Sequence, residues 1–310
     1  MILFFRPIPR YTIWGGKACN EYFNTSALFD DGVGQLWAFA AQDNGSTECV
    51  TEPYAGRTLR ELWENNPGLF GSHEGEVFPL IISLVAPEDD LSLQVHPDSD
   101  YAVRELGLTM GKNEAWYFIK TKDSSIVYGN KASDRAELEK LVAEDRWEEI
   151  PVTVPMHDGD FVYIPAGFMH AMGKNNIVYE IQQSTDVTYR FYDYKRKDKD
   201  GNERKLDLKE AMDCLHFEAA PVLPDPSVGR YDNLTETVFI RNSSFTVTRL
   251  EAEGSCSYKA PDGVYQLATV VCGEGTADGT AVRPGSSFLI PAGEKVSLDG
   301  SMTIMMTTKE

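Results

Sequence analysis

Positive charge is scarce in this chain of 310 residues: 29 Lys and Arg stand against 48 Asp and Glu, a formal net charge of −19 at pH 7. Such a chain repels phosphate backbones and anionic headgroups, which argues against nucleic acid and membrane as partners. Cysteine is sparse and scattered, at Cys19, Cys49, Cys214, Cys256 and Cys272, with no Cys-x-x-Cys. That set makes neither a disulfide framework nor a thiolate metal site, and it suits reduced thiols in a cytoplasmic protein. No apolar run approaches the roughly 20 residues needed to span a bilayer. The opening Met1 to Pro7 has no basic n-region, no long apolar core and no cleavage site, so no signal peptide is expected. Histidine is scarce too, with five in all: His73, His96, His157, His170 and His216. What remains is an ordinary globular composition, 42% apolar and 25% charged, without a low-complexity tract. At this length, two adjoining cores are expected rather than one.

Short strands fill residues 1–55, with turns at Gly15-Gly16 and Asp43-Asn44-Gly45. Thr58 to Glu64 reads as a short helix with Leu59 and Leu62 on one face. Phe78 to Val85 is almost wholly apolar and reads as a buried strand. Asp98 can cap a helix that runs through Glu105 and ends at Gly107. A second helix is expected over 133–149, capped by Ser133 or Asp134, with Leu138, Leu141 and Val142 at helical spacing and a solvated charged face. Strands dominate from Val152 to Tyr192. A basic loop follows, Lys195 to Gly201, then a helix from Asp207 to His216 and a proline-rich linker, Pro221 to Pro226.

The chemistry concentrates between Leu91 and His170. Gln94 and His96 are two apart, so on a strand both leave the same face. Glu114 opens an apolar aromatic run, Ala115-Trp116-Tyr117-Phe118-Ile119, that reads as another strand. His170 follows a Gly…Pro-Ala-Gly turn. Together they offer one amide oxygen, two imidazoles and one carboxylate to a single cation, a set that suits zinc or another first-row divalent ion. A lone histidine in an apolar strand is more often a satisfied core residue. The spacing Gly159-x5-Pro165-x-Gly167-x2-His170 argues otherwise, because it matches the half of the cupin motif in which a turn presents a histidine to a barrel interior. Lys112, two residues before Glu114, falls on the same face if that segment is extended. A divalent cation beside it would lower its pKa.

Four motifs run in register: Leu91-Ser-x-Gln-Val-His-Pro-Asp98, Gly111-Lys-x-Glu-x-Trp-Tyr117, Gly159-Asp-Phe-Val-Tyr-Ile-Pro-Ala-Gly-x-x-His-Ala171 and Glu180-Ile-Gln-Gln-Ser-x-Asp-x-Thr-Tyr-Arg-x-Tyr-Asp193. In this the chain resembles the class I, cupin-type mannose-6-phosphate isomerases, in their short bacterial form. The resemblance implies a mainly β fold of two cupin-type jelly-roll barrels (a bicupin) with a small helical insertion. Residues 1–222 would form the catalytic barrel, with helices around 98–107 and 133–149, and residues 223–310 a non-catalytic one. Pro284 to Gly293 parallels His157 to Gly167, and Val296 stands where His170 would be.

The resemblance further implies a metal-dependent aldose–ketose isomerase interconverting mannose 6-phosphate and fructose 6-phosphate through an enediol. One Zn2+ per chain would sit on Gln94, His96, Glu114 and His170. Arg190, Lys112 and Glu180 would be catalytic, with Arg190 acting on the enediolate. Ser92 and Arg196 would grip the phosphate of a small sugar phosphate. Which of Lys112, Glu180 or a metal-bound water is the base stays open, as does a core Glu180–Arg190 pair without chemistry. Two departures remove a charge: Ser83 where the family's buried strand usually carries Lys, and Gln35 where Glu is common. They keep two other readings in view, a catalytically weak paralogue that binds a sugar phosphate and a metal-dependent cupin oxygenase.

Overall fold

The computed structural model describes residues 1–71, 77–217 and 224–309. Alternation along one antiparallel sheet organises it. The sheet runs, edge to edge, Phe161–Ile164, Glu114–Thr121, Asn176–Gln183, Leu80–Val85, Val33–Phe39 and Ile8–Gly16. Within it Glu114 lies opposite Gln182, Trp116 opposite Glu180, and Glu180 opposite Ser83. Directly opposed residues share a face, so these side chains form one surface, and Ala115, Tyr117, Tyr179, Ile181, Ile82 and Leu84 form the other.

The first surface faces a five-stranded sheet ordered Pro151–Pro155, Ser125–Asn130, His170–Met172, Leu93–Val95 and Tyr189–Tyr192. Between the two sheets Trp116, Phe118, Val85 and Val178 pack with Phe168 and Met172. The second surface packs against a ten-stranded sheet formed mainly by residues 227–308, where Tyr117, Tyr179, Ile181 and Leu84 meet Phe239, Val247, Leu267 and Met305. The Tyr179 hydroxyl reaches the Thr307 hydroxyl at 2.9 Å across that junction. The ten-stranded sheet also takes in the first strand, since Leu3 to Phe5 pair with Leu289 to Ser287. The start of the chain is thus built into the sheet of its last third.

The turn before His170 recurs in that sheet. Gly159 and Gly167 have φ of 87° and 79°, and Gly285 and Gly293 have 92° and 73°. The backbone bonds match: Gly159 N–H donates to Phe118 and Gly285 N–H to Val270, Phe168 N–H to Pro165 and Glu294 N–H to Pro291. Val296, at the place of His170, is 1% exposed.

The helices follow their caps. Ser99–Leu106 begins where the Asp98 carboxylate accepts from Tyr101 N–H and ends at Gly107, left-handed with φ of 65°. Leu59–Asn65 carries a full capping box between Thr58 and Glu61. The helix expected over 133–149 is shorter, Arg135–Ala143, with Asp134 as its cap. It stops because Asp145 takes a positive φ of 57°, and Trp147, in a 3-10 turn, stacks on Tyr192 at 4.6 Å. A short helix, Ala18–Tyr22, was not expected. Residues 221–223 of the expected linker lie outside the described residues.

Gly167 couples fold and site. Its N–H donates to the carbonyl of His96 at 2.8 Å, and a Cβ there would come within 2.6 Å of the His216 ring. Gly167→Ala should therefore lower stability by about 1–3 kcal/mol, through strain at positive φ and the clash. A urea midpoint unchanged from the wild type would contradict this.

Candidate metal centre and active site

The two facing sheets bring five expected residues together. Gln94 pairs with His170 in register and Arg190 pairs with Gln94, all within the five-stranded sheet. Glu114 reaches across from the other sheet. Its Oε1 lies 3.3 Å from His96 Nε2 and its Oε2 3.5 Å from His170 Nε2. The two Nε2 atoms are 3.2 Å apart. All three side chains are buried, and they form a candidate metal-binding group.

The far side of each imidazole fixes its tautomer. His96 Nδ1 lies 2.9 Å from the Val187 carbonyl and His170 Nδ1 2.8 Å from the Phe168 carbonyl. A carbonyl only accepts, so each Nδ1 carries the proton and each Nε2 turns a bare lone pair inward. Burial holds both imidazoles neutral, pushing His96 down with the Lys112 ammonium adding to it, and His170 down to about 3, in each case against the opposing pull of the Glu114 carboxylate. Glu114 is the reverse case: burial pushes its pKa up, but the Lys112 ammonium and the His96 contact outweigh this and keep it ionised. Its Oε2 is buried with no hydrogen-bond partner among the described residues. Two lone pairs and an orphaned carboxylate oxygen converging in a dry interior are the donor set of a divalent cation, so the residues fit one.

Gln94 enters differently from its expected role. Its Nε2, rather than its oxygen, faces His170 Nε2 at 3.3 Å, and its Oε1 accepts from the Ser92 hydroxyl at 3.1 Å. Ligation through oxygen requires the amide to turn over, which exchanges two atoms of nearly equal size.

Lys112 lies just ahead of the strand and still reaches Glu114 Oε1 at 2.8 Å. Burial pulls its pKa down, but the carboxylates of Glu114 and Glu180 outweigh this and hold it raised. Glu180 accepts from the Trp116 indole at 3.1 Å. Burial and the nearby Glu114 carboxylate push it up to about 7 against the pull of Lys112 and Trp116. Among the described residues no ion pair joins Glu180 to Arg190. Arg190 stands 4.0 Å from Asp207, its Nε is buried without a partner among the described residues, and burial and Arg204 depress its pKa.

Arg196 is heavily engaged, with bonds to Asp193 at 2.5 Å, Asp89 at 3.2 Å and the Asp90 carbonyl at 2.5 Å. Arg204 shares Asp193, and Lys195 pairs with Asp145 at 2.8 Å. Lys195 and Arg196 are therefore each neutralised by neighbouring carboxylates. Sequence reasoning missed Trp116 as the residue that orients Glu180, although its place two after Glu114 puts it on the site's face.

A buried His–Glu–His group between two antiparallel sheets defines a metal-site β protein. Comparison with known proteins makes that narrower. Residues 4–145 match the family described as phosphomannose isomerase type I, catalytic domain. The chain is 38% identical over 297 residues to mannose-6-phosphate isomerase ManA of Bacillus subtilis, covering 94% of this chain and 93% of that protein. It is 34% identical over 301 residues to mannose-6-phosphate isomerase of Streptococcus mutans, covering 94% and 93%. The crystal structure of mannose 6-phosphate isomerase from Bacillus subtilis superposes with a TM-score of 0.94 at 32% identity, over 99% of each chain. A phosphomannose isomerase mutant from Salmonella typhimurium shares the fold at 14% identity, with a TM-score of 0.78 over 100% of this chain and 99% of that one. The chain belongs to the mannose-6-phosphate isomerase family, type I.

Two outcomes follow from the site. His170→Ala removes one of two imidazoles and should strip bound metal and activity together, read as metal per chain by elemental analysis. Acid should also act through His170. A histidine whose folded pKa lies below its unfolded value stabilises the fold fully above the unfolded value. Its contribution is lost as pH falls from about 6.5 toward about 3. Chelated protein should therefore lose stability over that window, and a urea midpoint flat from pH 7 to 5 would contradict it.

Proposed function

We propose that the chain is a metal-dependent aldose–ketose isomerase interconverting mannose 6-phosphate and fructose 6-phosphate by proton transfer through an enediol. The observation that carries this reading is the buried His96–Glu114–His170 cluster, with Lys112 and Glu180 beside Glu114 and Arg190 paired in register with Gln94. Gln94, His96, Glu114 and His170 would hold one Zn2+ per chain, which when bound supplies a positive centre that polarises sugar oxygens. Glu180, with a pKa of about 7, is placed to carry the proton between C2 and C1. Lys112 holds a proton near the reacting oxygens. Arg190, with an unpartnered Nε, stabilises the enediolate charge. Ser92 and Arg196 are the proposed phosphate grip. Arg196 binds the Asp90 carbonyl, two residues before Ser92, so both lie at one end of the strand Leu93–Val95. A phosphate there would displace the exposed Asp89 contact.

We read the architecture as two cupin-type barrels, residues 1–222 with the helical insertions and residues 223–310, the first strand being lent to the second barrel's sheet. The repeated turn at Gly159–Gly167 and Gly285–Gly293 supports this. With Val296 in place of a histidine, the second barrel is non-catalytic. The free cysteines suit the cytoplasm.

The direct test is a coupled assay from mannose 6-phosphate to fructose 6-phosphate, with and without chelator. Metal-replete protein should turn over, and chelated protein should not. Absence of turnover at one metal per chain would overturn the reading. Arg190→Ala should cut kcat by about 10²-fold or more with little change in KM. Arg196→Ala should do the opposite, raising KM about tenfold to hundredfold for the loss of one charge-assisted bond of about 1.5–3 kcal/mol. Added salt should weaken wild-type binding more than that of the variant.

A further inference from the structure

On the inner face of the six-stranded sheet Gln182 is a polar side chain with no task so far. Gln182 lies in the strand Asn176–Gln183, opposite Glu114 on one side and Ile81 on the other. Opposed residues of an antiparallel pair have Cβ atoms about 5 Å apart, so Gln182 stands beside the carboxylate of the metal cluster. Along its own strand it follows Glu180 by two residues, on the same face. It is 4% exposed, and among the described residues its amide has no hydrogen-bond partner. Its neighbour Gln183, turned to the opposite face, accepts from Asn113 at 2.7 Å. Its amide atoms are not among the fully enclosed unpartnered ones of the described residues, so they open onto the space beside the cluster, where an amide is free to bond a ligand.

Its chemistry selects the ligand group. A carboxamide offers a donor and an acceptor together, which matches a hydroxyl, itself both. A phosphate could use only the donor, and it would sit beside the ionised Glu114. The Ile81 side chain opposite gives no alternative partner.

We infer that Gln182 is a substrate-recognition residue whose amide hydrogen-bonds the C3 or C4 hydroxyl of the sugar chain, next along from the C1–C2 unit at the cluster. This rests on the isomerase reading above. Replacing a satisfied amide would weaken the fold, whereas replacing an idle buried one by an apolar side chain of the same length leaves the fold as stable or more so.

The experiment compares wild type with Gln182→Met on mannose 6-phosphate and on its 3-deoxy and 4-deoxy analogues, with metal content and melting temperature measured alongside. Wild type should lose about tenfold in kcat/KM on one of the two analogues. Gln182→Met should lose about tenfold on mannose 6-phosphate, show no further loss on that analogue, and keep its metal and its melting temperature. Gln182→Asn, which retains the amide but draws it back by one methylene, should give the same pattern and covers a Met variant that does not fold. Equal losses on all three substrates, a lowered melting temperature with lost metal, or kinetics identical to wild type would each overturn the inference. A metal-replete wild type inert toward mannose 6-phosphate overturns the isomerase reading with it, whereas an active wild type and an indifferent Gln182→Met overturn this inference alone.

Discussion

Two imidazole lone pairs and a carboxylate oxygen face one another in the protein interior with no proton between them. Much of the rest of the structure keeps them there. The carbonyls of Val187 and Phe168 hold each imidazole proton on its outer nitrogen. The Gly167 N–H ties the turn before His170 to the strand bearing His96. Trp116 packs edge-on against His170 at 5.6 Å while its indole orients Glu180. Lys112 balances one oxygen of Glu114 and leaves the other bare. Converging acceptors repel one another at low dielectric. The apolar packing on either side offsets that cost, and a cation would relieve it.

The six-stranded sheet divides its labour by parity. Residues that face the five-stranded sheet include Glu114, Trp116, Glu180 and Gln182, while their immediate neighbours Ala115, Tyr117, Tyr179 and Ile181 seal the junction with the ten-stranded sheet. A one-residue register slip would exchange the two sets and put the carboxylates into the apolar junction. The ten-stranded sheet thus acts on the site without touching it, by fixing the face that Glu114 and Glu180 occupy.

The elements legible in the sequence were those specified locally. Asp98 and Gly107 bracket the helix Ser99–Leu106 because caps act within one turn. The candidate metal group His96–Glu114–His170 was legible because residue type and apolar strand context singled out His96 and Glu114, and the turn at Gly159–Gly167 announced His170. Interactions distant in sequence were not. Nothing in Lys195 to Gly201 indicates that Arg196 is engaged by Asp193 and Asp89. The end of the helix at Ala143 depends on Trp147 stacking with Tyr192, which the periodicity of Leu138 and Leu141 cannot register. The orientation of the Gln94 amide is set by Ser92 and His170 jointly, beyond what a motif spells out.

The first strand has a consequence for the order of events during synthesis. Leu3 to Phe5 leave the ribosome long before their partners Ser287 to Leu289. Until those arrive, an apolar strand waits with an unpaired edge, the kind of surface that pairs with other chains. Cys49 pairs with Phe5 on the other edge of that strand, so an early partner can shelter one side of it. The final closure is a long-range contact whose loop spans nearly the whole chain, and such contacts form slowly. The arrival of Ser287 to Leu289 and the closing of that strand's edge are therefore one event, which makes the strand Ser287–Ile290 a checkpoint for the fold.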